Sequence, residues 1–317
     1  MPPRADGPHR WFPLPLRAPA ALCDGPPQPC ELPVPKSTPM TSPEPEPPHA
    51  PSSPQRLLAL ADLYTRLNDS LYAPTALRST AAMMDSIRTA HRAVHATLRT
   101  ADLLTDLPPP LSDVELDART QLTQLGLLTS TAVRHLTTAC DVLLAMLYNA
   151  EDGTKPVELA DPTSVSEAAK HLRLAETLTA LAPQAAVEQA QRVGEYIALR
   201  RAGPAAPPAV RLSPVQRAAL HAIACGHIRI WTDLGKEYVS CRYPRPSLGT
   251  IRSLEARELV AHRLLPPRIP GAVPNRRLFL TAQGIAVLAD GFGRPQRPRT
   301  TGPARPAPHR TDFFPTR

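Results

Sequence analysis

Residues 247–284, SLGTIRSLEARELVAHRLLPPRIPGAVPNRRLFLTAQG, change period twice and so decide how the last third of the chain folds. Leu248, Ile251, Leu254, Leu259 and Val260 recur at helical spacing behind Ser247, which predicts a short helix. His262-Arg263-Leu264-Leu265 and Arg276-Arg277-Leu278-Phe279-Leu280 then flank a ten-residue, proline-rich loop, the pattern of a hairpin. Thr281-Ala282-Gln283-Gly284 opens a last helix to about Ala289. Immediately upstream, Leu212-Ser213-Pro214 starts a helix cleanly. Ser is a strong cap, and proline at the first helical position gives up no amide that the helix needs. Val215, Ala218, Ala219, Ala222 and Ile223 are its expected buried stripe, and Gly226 ends it. Between these helices, Ile228–Trp231 and Glu237–Cys241 alternate around Thr232-Asp233-Leu234-Gly235 and read as another hairpin.

Charge separates this region from the rest. Residues 1–210 carry 18 Lys/Arg against 22 Asp/Glu, whereas residues 211–317 carry 18 against 6. A region this basic meets a polyanion or an acidic neighbour. The 41 prolines among 317 residues, with only 14 glycines and two tryptophans, argue against one large sandwich, barrel or doubly wound sheet. Eighteen of those prolines fall in residues 1–54, too poor in aliphatics to bury a core; a disordered leader is expected there. The stiff 203–210 joint and a basic tail at 292–317 complete the proline-rich segments.

Between them, residues 55–202 read as a helical bundle for oligomerisation or sensing. Thr75–Asp106 has a seam of Leu77, Thr80, Met84, Ile87, His91, Val94, Leu98 and Ala101. A second long helix follows Ser112-x-x-Glu115, a capping box, with a seam of Leu122, Leu125, Thr129, Ala132, Leu136, Ala139, Leu143 and Met146. Another capping box, Ser164-x-x-Glu167, is expected to open the next helix, and Pro183 the last. Long helices with seven-residue seams suit an antiparallel bundle or a homodimer through residues 75–149. The expected fold class is mainly α: a helical bundle, then a small α+β domain at 211–291, with proline-rich tails.

Leu212-Ser213-Pro214-x-Gln216, then Ile251-Arg252-Ser253-Leu254-Glu255-Ala256-Arg257-Glu258-Leu259-Val260, then Arg276-Arg277-Leu278-x-Leu280-Thr281-x-x-Gly284 together resemble a winged helix-turn-helix domain of the MarR type. The resemblance covers about 80 residues. It implies a recognition helix for the major groove of double-stranded DNA and a basic hairpin wing beside it. The family tends to have glycine, in the left-handed conformation that closes the recognition helix, where Glu258 stands; glutamate there implies a differently closed end. The chain departs from the family in two further respects: strands replace the helix that normally precedes the recognition helix, and the acid-and-arginine pattern of the family's wing is missing.

On the residues themselves, Thr250, Arg252, Ser253 and Arg257 are left facing out once Ile251 and Leu254 turn inward. Arg242, Arg245 and Ser247 lie at the helix N-terminus, where amides favour an anion. Arg263, Arg276 and Arg277 make the wing basic. Arginine pairs with guanine and phosphate, whereas Ser and Thr position on the backbone. A DNA-binding transcriptional regulator is the expected function. The alternative is a scaffold that binds protein through its bundle, its winged helix contacting protein rather than DNA.

Other chemistries fare poorly. Neither dinucleotide-binding nor P-loop glycines, nucleophile elbow nor H-E-x-x-H occurs, so neither an enzyme nor a cofactor is expected. His91 and His95 lack further ligands, and His91 falls on the apolar seam, where packing is the expected role. His221, Cys225, His227 and Cys241 match no zinc-finger spacing, and no metal is expected there either. Five irregularly spaced cysteines suit a reducing cytoplasm, and no run is long enough to cross a membrane.

Overall fold

A computed structural model of the chain describes residues 50–71, 80–105, 112–151, 162–200, 210–233, 235–241, 245–265 and 275–294. The fold is mainly helical, with a small antiparallel sheet in the C-terminal part. Five helices come first: α1 (Ser53–Leu71), α2 (Thr80–Thr105), α3 (Asp113–Glu151), α4 (Pro162–Thr179) and α5 (Ala182–Arg200). They are followed by α6 (Pro214–Ala224), β1 (Arg229–Asp233), β2 (Lys236–Ser240), α7 (Leu248–Glu255), β3 (Val260–Leu264), β4 (Arg276–Leu280) and α8 (Ala282–Gly291). The leader expected at 1–54 and the tail expected from 292 lie mostly outside the described residues. Both boundaries nevertheless move: helix α1 already starts at Ser53, and Phe292 lies against Gly194 of α5.

The first five helices form an up-and-down bundle. Tyr64 of α1 faces Thr97 of α2, and Ser70 faces Ser86, so α1 and α2 run antiparallel. Cys140 meets Met84 and Gly126 meets Leu98, which sets α3 antiparallel to α2. Contacts of α3 with the next two helices fall in sequence: His135 with His171 of α4, then Gln121 with Gln189 and Asp117 with Arg192 of α5. Helices α4 and α5 therefore lie one after the other along α3, whose 39 residues span about 58 Å at ~1.5 Å per residue. At the centre, the buried Tyr64 hydroxyl lies 2.8 Å from both Thr97 Oγ1 and Thr129 Oγ1, joining three helices through one polar atom. Burial pushes this phenol upward in pKa.

Helix α3 buries Leu122, Leu125, Thr129, Ala132, Leu136, Ala139 and Leu143 of the expected seam, and Met146 is half-buried. Its capping box forms as read: Ser112 N–H donates to Glu115 at 2.9 Å, and Glu115 N–H to Ser112 Oγ at 3.2 Å. Helix α2 departs from the expectation. Of the expected seam Ala101 is buried, but Met84, His91 and Leu98 are exposed, and Met83, Ser86, Ala90, Ala93, Thr97, Thr100 and Leu104 are buried instead. Small residues on the buried side let α2 approach its neighbours closely, and the threonines Thr97 and Thr100 satisfy their hydroxyls on the carbonyls four residues back. Helix α4 starts at Pro162, two residues before the expected Ser164 cap, and Glu167 is exposed.

The C-terminal elements follow the sequence closely. Ser213 and Gln216 form a reciprocal capping box on α6, and Thr281 Oγ1 accepts from Gly284 N–H at 3.0 Å to start α8. Val215 and Ala218, expected in the buried stripe of α6, are exposed, and Leu220 and Ala224 take their place. The sheet order is β2-β1-β4-β3, with every pairing antiparallel. Gly284 is required by close approach, because a Cβ there would lie 2.0 Å from Leu259 O. Glu258 adopts φ +56°, so the chain turns through the left-handed conformation after α7 rather than closing differently, as the glutamate led us to expect.

One face of the sheet carries Ile230, Val239, Val260, Leu278 and Leu280, buried with the residues of α6, α7 and α8. The other packs on α1, so bundle and sheet form one compact unit. Among the described residues no helix is long and apolar enough to cross a membrane.

Candidate nucleic-acid interface

Side chains alternate across a strand, so register decides which arginines share a face. Arg229 of β1 stands opposite Arg277 of β4, which stands opposite Arg263 of β3. The three make a row across the sheet, and the row points at α1. Arg277, 5 % exposed, engages Asp69 through Nε at 3.2 Å and Nη2 at 2.5 Å, and it also donates to Gly226 O. Arg263 reaches Asp69 at 3.1 Å and Asp62 at 3.6 Å, and Arg229 reaches Asp69 at 3.5 Å. Phe279, next on this face, receives the guanidinium groups of Arg66 and Arg263 at 6.0 and 5.7 Å from its ring centre. The backbone accommodates the approach at Gly226, whose φ is +70° and where a Cβ would fall 2.7 Å from Thr65 Oγ1.

Arg263 and Arg277 therefore leave the expected DNA-binding set. The reason lies in the strand: Arg276 and Arg277 are neighbours, so they point to opposite faces and cannot both line one wing surface. Asp69, near the C-terminus of α1, is where the helix dipole disfavours an acid; three arginines offset that. Nothing in the local sequence around Asp69 marks it, although the run Arg276-Arg277 already implies a cation on each side of the sheet.

Arg276 points to the opposite face from Arg277, where its Nη2 bonds Glu237 Oε1. The other carboxylate oxygen of Glu237 is 3.5 Å from Nη2 of Arg252 on α7. Glu237 thus ties β2 to β4 and to α7. The Arg276 hydrogen bond, helped by Arg252, holds this carboxyl below the usual carboxylate range.

Most of the other expected residues gather around α7. Ser247 is the N-cap, its Oγ accepting from Thr250 N–H at 3.1 Å and lying 3.0 Å from Thr250 Oγ1. Arg245 is exposed just before it. The side chain of Arg252 is 70 % exposed. Ser253 accepts from Gln216 Nε2 at 3.1 Å, which fastens α7 to α6, and the exposed Arg257 donates to Arg211 O at 3.1 Å. Arg242 lies outside the described residues. Of the acids on this side, Glu237 is engaged by arginine, Glu255 lies 3.7 Å from His262, and Glu258 is exposed. Sequence reading missed Glu237, Gln216 and Arg211, although Gln216 belongs to a capping motif that is visible in the chain.

The histidines and cysteines form no metal centre among the described residues. His91 is exposed rather than packed. Cys225 lies 3.8 Å from His221, and burial pushes the thiol up to about 12 and the imidazole down, leaving both neutral near pH 7. His135 and His171 face each other with Nδ1 atoms 3.0 Å apart and ring centres 5.2 Å apart. That places both nitrogens close to the line between the rings, a hydrogen-bond geometry rather than two ligands converging on an ion.

No family model matches the chain, and neither does any curated protein or solved structure.

Proposed function

We propose that the protein binds double-stranded DNA through the outward face of α7 and acts as a transcriptional regulator. The observation that supports this most is the placement of α7. It is a Ser-capped helix braced by α6 from behind, with Arg245, Arg252 and Arg257 directed away from the core. A helix presented in this way fits a major groove, with phosphates met by the arginines and by the helix N-terminus. The contact set is narrower than a whole wing: Arg245, Ser247, Thr250, Arg252 and Arg257, without Arg263 and Arg277, and without Ser253, whose hydroxyl is taken by Gln216 of α6.

The test is fluorescence anisotropy of the full chain against a short random-sequence duplex across a salt series. Binding should weaken with salt, and Arg245→Ala with Arg257→Ala should flatten the log–log slope by roughly 0.9 per phosphate contact removed. Salt-independent binding, or none at low salt, overturns the reading.

A scaffold function is the second reading, and the outward side of α3 favours it. Leu116, Leu127 and Tyr148 are 52, 66 and 69 % exposed at positions that fall near one face of the helix. A homodimer through residues 75–149 would cover them. Sedimentation of the full chain tests it: a monomer at micromolar concentration removes the homodimer.

A further inference from the structure

Glu237 is the group on the α7 side that the proposed contacts leave unexplained. It sits on β2, the strand that stands where a winged helix would carry a helix, and it holds Arg276 and Arg252 on its two oxygens. The two attachments are unequal. Arg276 is 25 % exposed and directly bonded, whereas Arg252 is 70 % exposed and 3.5 Å away, at the limit of a hydrogen bond. Two cations therefore share one anion, and only Arg252 is free to swing outward. A phosphate that approaches Arg276 has to come within reach of the same carboxylate, which repels it.

From this we infer that Glu237 is a specificity-determining residue: it withdraws Arg276 from backbone phosphates, lowers affinity for duplex of any sequence, and keeps Arg252 for a directed contact. This rests on the proposed reading of α7. Discrimination between sites is a difference of affinities, and a carboxylate that penalises undirected phosphate contact raises that difference without adding a bond to the correct site. A purely structural salt bridge predicts something else: its loss changes the net charge by one, so the gain is slight and does not depend on Arg276.

The experiment compares full-length wild type, Glu237→Gln and Glu237→Thr in the same anisotropy series with random duplex. Gln keeps the shape and a hydrogen bond to Arg276, whereas Thr keeps strand compatibility if Gln perturbs folding. Both variants should bind about 5- to 30-fold more tightly near 0.1 M salt. Their salt slope should steepen by about 1 to 2, as one or two arginines gain phosphate contacts. Adding Arg276→Ala to Glu237→Gln should remove about half of the gain. If wild type binds with the expected salt dependence and neither variant gains, the inference fails and the α7 reading stands. If no form binds duplex at low salt, both fail. Should only the variants bind, the α7 reading falls for the protein as it exists, and the inference that rests on it falls too.

Discussion

The C-terminal sheet presents arginines in two settings, and the contrast separates structure from function. On the α1 side, Arg229, Arg263 and Arg277 stand in register and converge on Asp69. On the α7 side, Arg252 stands on the helix and Arg257 in the turn after it, mostly in solvent, and they meet one shared carboxylate and one backbone carbonyl. The residue type is the same throughout. What differs is desolvation: a buried guanidinium must be matched by an acid, whereas an exposed one needs no partner. A basic composition therefore overstates the surface offered to a polyanion, because part of the excess serves to bind the sheet to the bundle.

The largest effect should follow from breaking the buried side. Asp69→Ala leaves Arg277 buried with only the Gly226 carbonyl, and should cost about 3–5 kcal/mol of unfolding free energy by urea denaturation. Asp69→Leu combined with Arg277→Met should recover most of it, since an apolar pair of similar volume avoids the desolvation cost. If Asp69→Ala lowers stability by less than 1 kcal/mol, the row is not what joins sheet to bundle.

Arg263 and Arg252 sharpen the comparison at intermediate size. Arg263→Ala removes contacts to Asp62, Asp69 and the Phe279 ring, and should cost about 1–2 kcal/mol. Arg252→Ala should stay within about 0.5 kcal/mol, as exposed pairs do. In duplex binding the order should reverse, with Arg252→Ala weakening affinity and Arg263→Ala leaving the salt slope unchanged. Equal stability losses would erase the distinction between the two faces.

Much of the fold was legible because local signals agreed with the tertiary result. The seam of α3, the caps at Ser112, Ser213 and Thr281, and both hairpins rest on spacing and turn chemistry that act within a few residues. Helix α2 was legible as a helix but not in its orientation. Its larger residues, Met84 and Leu98, suggested a buried stripe, whereas close packing against Tyr64 selected Ala90, Ala93 and Thr97. The facing of Arg263 and Arg277 escaped sequence reading for a different reason. Whether an arginine faces water or an acid depends on Asp69, some 200 residues away in the chain, and no window of sequence holds both. Only the alternation of Arg276 and Arg277 warned that the basic strand had two sides.

Glu258 tests the junction between the two settings. It sits between α7, on the outward side, and β3, which carries Arg263 to the inward side. The chain turns there with φ +56°, and Glu258 O accepts from Thr281 Oγ1 at 2.6 Å, so the turn is tied to the start of α8. A side chain in the left-handed region costs about 1–2 kcal/mol, and glycine recovers that while adding roughly 0.5–1 kcal/mol of unfolded-state entropy. Glu258→Gly should therefore stabilise by about 0.5–1 kcal/mol, visible as a small rise in Tm. Removing its charge also makes the α7 side less acidic, so affinity for duplex should rise slightly rather than fall. A stability loss exceeding 1 kcal/mol would mean that the glutamate side chain holds the turn through an interaction stronger than its backbone strain.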